Sequence, residues 1–474
     1  MSFYSVLPPA LQPRSRSRSL GVKLIVVCAL GLLMTIPALF VQGLVWDRTS
    51  RKADVVREIS NYEGGRQTFL GPTLAIPYDV PPQKRGDASY HGTYIVFPAQ
   101  ASAVVKTTTE ERHRSLFRVP VFHADLKFDA TFDLTGVPGA APQHSVFDWS
   151  HAEILVGVSD ARGAKADALL SLDEKTATMA PAEASEQMSV GSDQGSPVNL
   201  TLFGADAGSV AKPGAHFSAT AALTFSGAQR IALLAYGRTT HVSMQGDWPS
   251  PSFDGGFLPI SSSVAKNGFA AEWSVPFIAR GVPVESQSDT INGLNATALG
   301  VSFAEVADPY QSVSRSLKYA LLFVGLLFLT YFMFEVSTSK RVHPAQYILV
   351  GVAQIIFYLL LLSLAERIGF DFAFLLGGEA TVLLLAANAR WIFASRAQGA
   401  RAFVIFTLLY GLIYMLLRLE DNALLVGAIA SFLAVAAAMY FTRNIDWYGS
   451  LPGAGAEPQS DSLQVPRDAT SSTQ

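Results

Sequence analysis

The chain has 474 residues, of which 50% are hydrophobic and 15% charged, with a formal net charge of −3. So low a charge fraction is unusual for a soluble protein and normal for one that is partly membrane-embedded. The near-neutral balance gives no basic footprint for nucleic acid. Cys28 is the only cysteine and lies in an apolar run, so disulfides cannot staple an exported part.

The N-terminal segment, 1–23, carries Arg14, Arg16, Arg18 and Lys23 and no acid, which predicts a cytoplasmic location. Residues 24–45 are an apolar run long enough to cross a hydrocarbon core of about 30 Å. A cleaved signal peptide is the competing reading. No A-x-A site follows Pro37, and Val27 before Cys28 is too bulky for a lipoprotein signal, so an uncleaved anchor is expected.

Residues 46–316, about 270 in all, must then lie together on one side of the membrane, enough for one or two cores. The expected place is the periplasm, and the expected structure is a β-rich, sandwich-like domain. A short helix is predicted over 54–59. Over 121–134 the apolar Leu126, Phe128, Ala130, Phe132 and Leu134 alternate with polar residues, the period of a half-buried strand. Similar alternation marks 217–225, 231–234, 241–245 and 269–275. Turn sequences separate these runs, among them Lys212-Pro213-Gly214 and Asp254-Gly255-Gly256. Gly64-Gly65 and Gly71-Pro72 also read as turn, and the Ser/Gly-rich 182–197 as a mobile surface loop.

Five further spans are predicted at 319–334, 347–365, 372–389, 402–417 and 423–441, a bundle occupying 317–448. The loops after the second and fourth spans carry Lys340, Arg341, Arg390, Arg396 and Arg401, and Arg443 follows the sixth. This bias places both termini in the cytoplasm. Trp447 and Tyr448 read as an interfacial anchor, and 449–474 as a disordered cytoplasmic tail. The fold class is thus an α+β membrane protein: six transmembrane helices, one N-terminal and five C-terminal, with a large periplasmic β-rich domain.

Few residues point to chemistry. No H-E-x-x-H, G-x-S-x-G or Walker A sequence occurs, and the eight histidines are scattered. No catalytic residue, cofactor or metal ligand is expected. The expected partners are the lipid bilayer and other envelope proteins, without nucleic acid. The candidate functional residues are polar groups of the bundle: Glu366, Glu379, Arg418, Glu420 and Asp421. Glu379 falls in mid-span beside Gly377 and Gly378. A charge there costs roughly 3 kcal/mol, so the carboxyl should be protonated, paired or facing water. It reads either as a proton-linked or gating carboxylate, or as a protonated acid hydrogen-bonded to Gln354 or to another helix. Glu335 and Arg390 lie at span ends and are expected to snorkel. Glu366, Arg367, Asp371, Arg418, Glu420 and Asp421 should gather at the outer surface. There they either couple the bundle to the β domain or, for Asp421, cap the last helix.

Several segments together resemble the CreD family of bacterial inner-membrane proteins. They include Arg341-Val342-His343-Pro344-Ala345-Gln346-Tyr347, Leu419-Glu420-Asp421-Asn422-Ala423 and Thr442-Arg443-Asn444-Ile445-Asp446-Trp447-Tyr448. In the exported part the similarity lies in Gly64-Gly65-Arg66-Gln67, Gly71-Pro72-Thr73-Leu74-Ala75-Ile76-Pro77-Tyr78 and Trp248-Pro249-Ser250-Pro251-Ser252-Phe253-Asp254-Gly255. The resemblance covers about 20–450 and departs at Glu379, where it implies a small residue. It implies a non-catalytic role in envelope integrity, stress response and colicin tolerance, tied to a carbon-source-responsive regulon. A transporter or channel using the bundle's polar residues is the alternative. An envelope hydrolase in the β domain is a third reading.

Overall fold

The computed structural model describes residues 20–443, apart from 83–88, 115, 174, 184–186, 193–194, 288–289, 304–308, 339 and 419–422. The expected N-terminal segment, interfacial anchor and C-terminal tail lie almost wholly outside these residues. The chain divides into two compact units, a helical one of Met1–Trp46 with Pro309–Gln474 and a β-rich one of Asp47–Asp308.

Two helices, α1 (Leu20–Leu33) and α2 (Thr35–Glu63), occupy the first predicted span and continue well past it. They meet at Met34. Pro37 has no N–H to offer the Leu33 carbonyl one turn back, so that helical hydrogen bond is missing next to the junction. The Thr35 hydroxyl donates to Leu32 O at 2.7 Å across the junction. The helical stretch Gly21–Glu63 has 43 residues. At 1.5 Å per residue it is roughly twice as long as a hydrocarbon core is thick, so its polar second half extends beyond one.

That second half belongs to the β unit. Val55, Val56 and Ile59 pack on Val119, Val121 and Ala228. The helix predicted over 54–59 is therefore the end of a longer one. It stops at Gly64 and Gly65, both at positive φ (90° and 62°), where the Gly65 N–H reaches back to Ser60 O at 2.7 Å. Burial raises the Glu63 pKa, but the hydrogen bond from Lys165 at 3.1 Å and its charge outweigh that and leave it lowered.

Among the described residues, twelve strands form one sheet of the β unit and eight form the other. In the larger, the long strand Gln67–Val80 pairs parallel with Arg230–Leu233 and antiparallel with Glu153–Val158. In the smaller, Phe117–Asp133 lies antiparallel between Gln100–Arg114 and His216–Ala228. The predicted alternation holds here: Leu126, Phe128, Ala130 and Phe132 are all buried. Both sheets contribute to one continuous core. Phe69 meets Phe225 edge-to-face at 5.4 Å, and Phe128 meets Tyr236 at 5.7 Å. The Tyr236 hydroxyl lies 2.6 Å from Ser102 O and 3.0 Å from Asp129 O, so a residue following a strand of the larger sheet is bonded to backbone of the smaller.

Two local expectations are corrected. Residues 187–192 and 195–206 form paired strands rather than a loop, because Met188 and Val190 alternate with small polar residues and are fully buried. Low hydrophobicity hid a short strand whose two apolar side chains reach the core. Gly71-Pro72 is a register break within the strand Gln67–Val80, not a turn. Pro72 cannot donate to a ladder, and a Cβ on Gly71 would sit 2.7 Å from the Tyr236 ring.

In the helical unit, α4 (Pro309–Lys318) precedes α5 (Ala320–Thr338). It is a separate helix burying Tyr310, Val313 and Leu317, so the span predicted from 319 does not start directly from the β unit. The helices α6 (Pro344–Ile368), α7 (Phe370–Phe393), α8 (Arg396–Arg418) and α9 (Ala423–Thr442) follow. The β unit holds a further helix, α3 (Phe277–Arg280), a single turn. His343 caps α6, its Nδ1 accepting from Ala345 N at 3.2 Å, and Pro344 fills the first helical position. Gly369, at φ 81°, turns α6 into α7. Among the described residues five helices are long and apolar enough to cross a membrane. The sixth predicted span falls on α9, whose apolar stretch is the shorter Leu425–Ala437.

Gly71→Val should destabilise the β unit by about 1–3 kcal/mol, since the fixed Tyr236 ring cannot give way. Tryptophan-monitored denaturation of the full chain in detergent measures this, and adding Tyr236→Ala should make the Val substitution nearly neutral. Glu63 makes a second prediction. Its lowered pKa means that its contribution is present above the ordinary carboxylate pKa and is lost as pH falls through the lowered value. Acid titration of unfolding should therefore be less steep in Glu63→Gln than in the wild type.

Candidate functional site

The polar side chains of the helical unit form the candidate site, and the structure groups them differently from the sequence. Glu335, on the last turns of α5, does not snorkel. It is 4% exposed and faces inward. One carboxylate oxygen pairs with Lys23 of α1 and accepts from Val342 N at 3.0 Å. The other accepts from the Tyr347 hydroxyl of α6 at 3.0 Å. Lys23 also donates to Val342 O at 2.8 Å. A buried carboxylate is tolerated when an opposite charge and further donors satisfy it, and Glu335 has all three. Its ring of donors comes from α1, α6 and the α5–α6 turn. In the sequence Lys23 reads only as a flanking positive charge and Glu335 only as a span end. Nothing local couples residues this far apart.

Deeper in the bundle, Tyr331 of α5 donates to Leu385 O of α7 at 2.8 Å and accepts from Asn388 at 3.3 Å. Gln354, fully buried on α6, accepts from the Tyr410 hydroxyl of α8 at 2.7 Å. Gln354 Nε2 and the Tyr358 hydroxyl, one helical turn apart, are buried without a hydrogen-bond partner among the described residues. The proposed partnership of Gln354 with Glu379 is not formed. Glu379 is exposed on α7 and lines a groove between α7 and α8.

The expected outer cluster is only partly assembled. Arg418 pairs with Asp371, and Tyr414 joins them, donating to Asp371 at 3.1 Å and accepting from Arg418 at 3.3 Å. Glu366 instead takes the Tyr310 hydroxyl of α4 at 3.0 Å. Glu420 and Asp421 lie outside the described residues, as does the proposed cap of α9.

In the β unit the notable buried charge is Arg280, which the sequence reading missed. Its guanidinium donates to Ala235 O, Val282 O and Pro283 O at 2.8–3.1 Å and sits 4.2 Å over the Phe97 ring. Burial pushes its pKa down to about 10. These are bonds that tie loop carbonyls together. Among the described residues no three His, Cys, Asp or Glu side chains group as metal ligands.

A model of the family described as Inner membrane protein CreD matches residues 19–448. The chain is also 30% identical to Inner membrane protein CreD of Escherichia coli (strain K12) over 446 residues, which cover 92% of this chain and 96% of that protein.

Removing one member of the buried pair strands the other. Lys23→Met or Glu335→Leu alone should each cost about 3–5 kcal/mol, whereas the double substitution should recover most of the loss. Arg418→Ala, at an exposed pair, should cost at most about 1 kcal/mol. Unfolding of the purified protein in detergent measures all four.

Proposed function

The chain belongs to the CreD family of inner membrane proteins, and from that premise we propose that it is a non-catalytic protein that supports envelope integrity under stress, colicin tolerance included. It crosses the inner membrane six times, with both termini in the cytoplasm and the β unit in the periplasm. The observation that carries this reading is the β unit Asp47–Asp308, with its own core, inserted between the first apolar helix and the rest. A unit bounded by a span on each side stays on one face of the membrane. The basic flanks, with Arg14, Arg16, Arg18 and Lys23 before the first span and Lys340, Arg341, Arg396 and Arg401 between later ones, support a cytoplasmic N-terminus. Taking α9 as the sixth span returns the C-terminus to the same side.

The Lys23–Glu335 pair supports a structural role for α1, holding it to α5 and α6 after the β unit intervenes in the chain. The transporter reading would need polar groups converging along one passage. The hydrogen-bonded ones of the bundle form separate groups, Glu335 with Tyr347, Tyr331 with Leu385 O, and Gln354 with Tyr410, which favours the envelope role.

An alkaline phosphatase reporter inserted within 184–186 should be active, and one fused after Gly453 inactive. The reverse pattern overturns the topology. A deletion strain should admit more hydrophobic dye and show altered colicin survival, both restored by the wild-type chain. Unchanged permeability and survival would reject the envelope role.

A further inference from the structure

The groove between α7 and α8 encloses about 370 Å³ and is walled mainly by apolar and aromatic side chains. That volume is in the range of sites for small organic molecules, about 300–1,000 Å³. Its charged lining residues are two acids, Asp371 and Glu379, beside the hydroxyls of Thr407, Tyr410 and Tyr414. At one end Asp371 is paired with Arg418, whose guanidinium stands 5.7 Å over the Tyr414 ring. One carboxylate and one aromatic ring there hold a cation supplied by the chain itself. Glu379, two turns further along α7, repeats half of that arrangement. It shares the groove with Phe374 and Tyr410, yet among the described residues it has no ion pair or hydrogen bond. The ring of Phe374 lies 6.3 Å from that of Tyr410.

A carboxylate near the middle of an apolar helix is costly unless a partner neutralises it. Aromatic rings attract ammonium groups, and a neighbouring carboxylate adds the opposite charge. Space for a ligand is kept by Gly411, where an added Cβ would meet nothing within 4 Å. We propose that the α7–α8 groove binds a hydrophobic amine, its apolar body along the groove and its ammonium group against Glu379, Phe374 and Tyr410. Both parts of the ligand are required. A small hydrophilic amine would not partition to this depth, and a neutral alkyl chain would leave Glu379 unpaired.

The probe is radiolabelled dodecylamine, added to the full chain in phosphatidylcholine nanodiscs, with empty nanodiscs as reference. Saturable binding is expected, weakly competed by dodecanol. Glu379→Gln should weaken it at least tenfold, and Glu379→Asp should restore part of the affinity. Gly411→Leu should also weaken it by filling open space, with elution profile and thermal midpoint unchanged. Absence of a saturable component in the wild type overturns the proposal, as does equal binding by Glu379→Gln. Equal competition by dodecanol would reduce the groove to an apolar surface and also overturn it. Loss of a dimer on Glu379→Gln, without amine binding in the wild type, would assign the groove to a second copy instead.

Discussion

A carboxylate withdrawn from water must find its counter-charge inside the protein, and Glu335 finds it in Lys23, 312 residues earlier in the chain. This pair joins α1 to α5 within the helical unit. The chain leaves that unit after Trp46, builds the whole β unit, and returns at Pro309. Apolar packing alone would hold α1 weakly in a bilayer, because lipid tails are as apolar as leucine. The ion pair, with Tyr347 and the Val342 backbone around it, gives α1 a specific seat against α5 and α6.

The β unit solves a different problem with different means. Without disulfides, it relies on one core shared by two sheets. Aromatic contacts span the sheets, and Tyr236 adds polar bonds to the carbonyls of Ser102 and Asp129. The missing side chain at Gly71 belongs to the same arrangement, since it leaves room for the Tyr236 ring. Arg280 binds loop carbonyls instead of a carboxylate, so its charge is spread over backbone oxygens and the Phe97 ring.

Polar groups of the helical unit differ in how completely they are satisfied. Glu335 and Tyr331 have partners on neighbouring helices. Among the described residues Gln354 and Tyr358 each retain a buried unpaired atom, and Glu379 lines an aromatic groove. In water such differences would matter little. In a low-dielectric surrounding each unsatisfied group is expensive, which makes these the positions where a ligand or a bound water would be most strongly stabilised.

The sequence by itself determined whatever depends on local period and composition. Twofold alternation located the strand Phe117–Asp133, and long, mainly apolar runs located the helices from α5 to α8. It failed where the decisive neighbour is distant. The strand Gln187–Ser192 looks like a loop until Met188 and Val190 are placed in the core. Gly71-Pro72 reads as a turn until Tyr236 lies against it. Glu335 looks like a snorkelling end group until Lys23 arrives from another helix. Glu379 stood out as an isolated intramembrane acid, and the groove, not Gln354, is what surrounds it. Side-chain period is a property of the backbone at each residue, so it is written along the chain. Charge pairing and cavity shape are properties of surfaces brought together in space, and only the tertiary structure decides which surfaces those are.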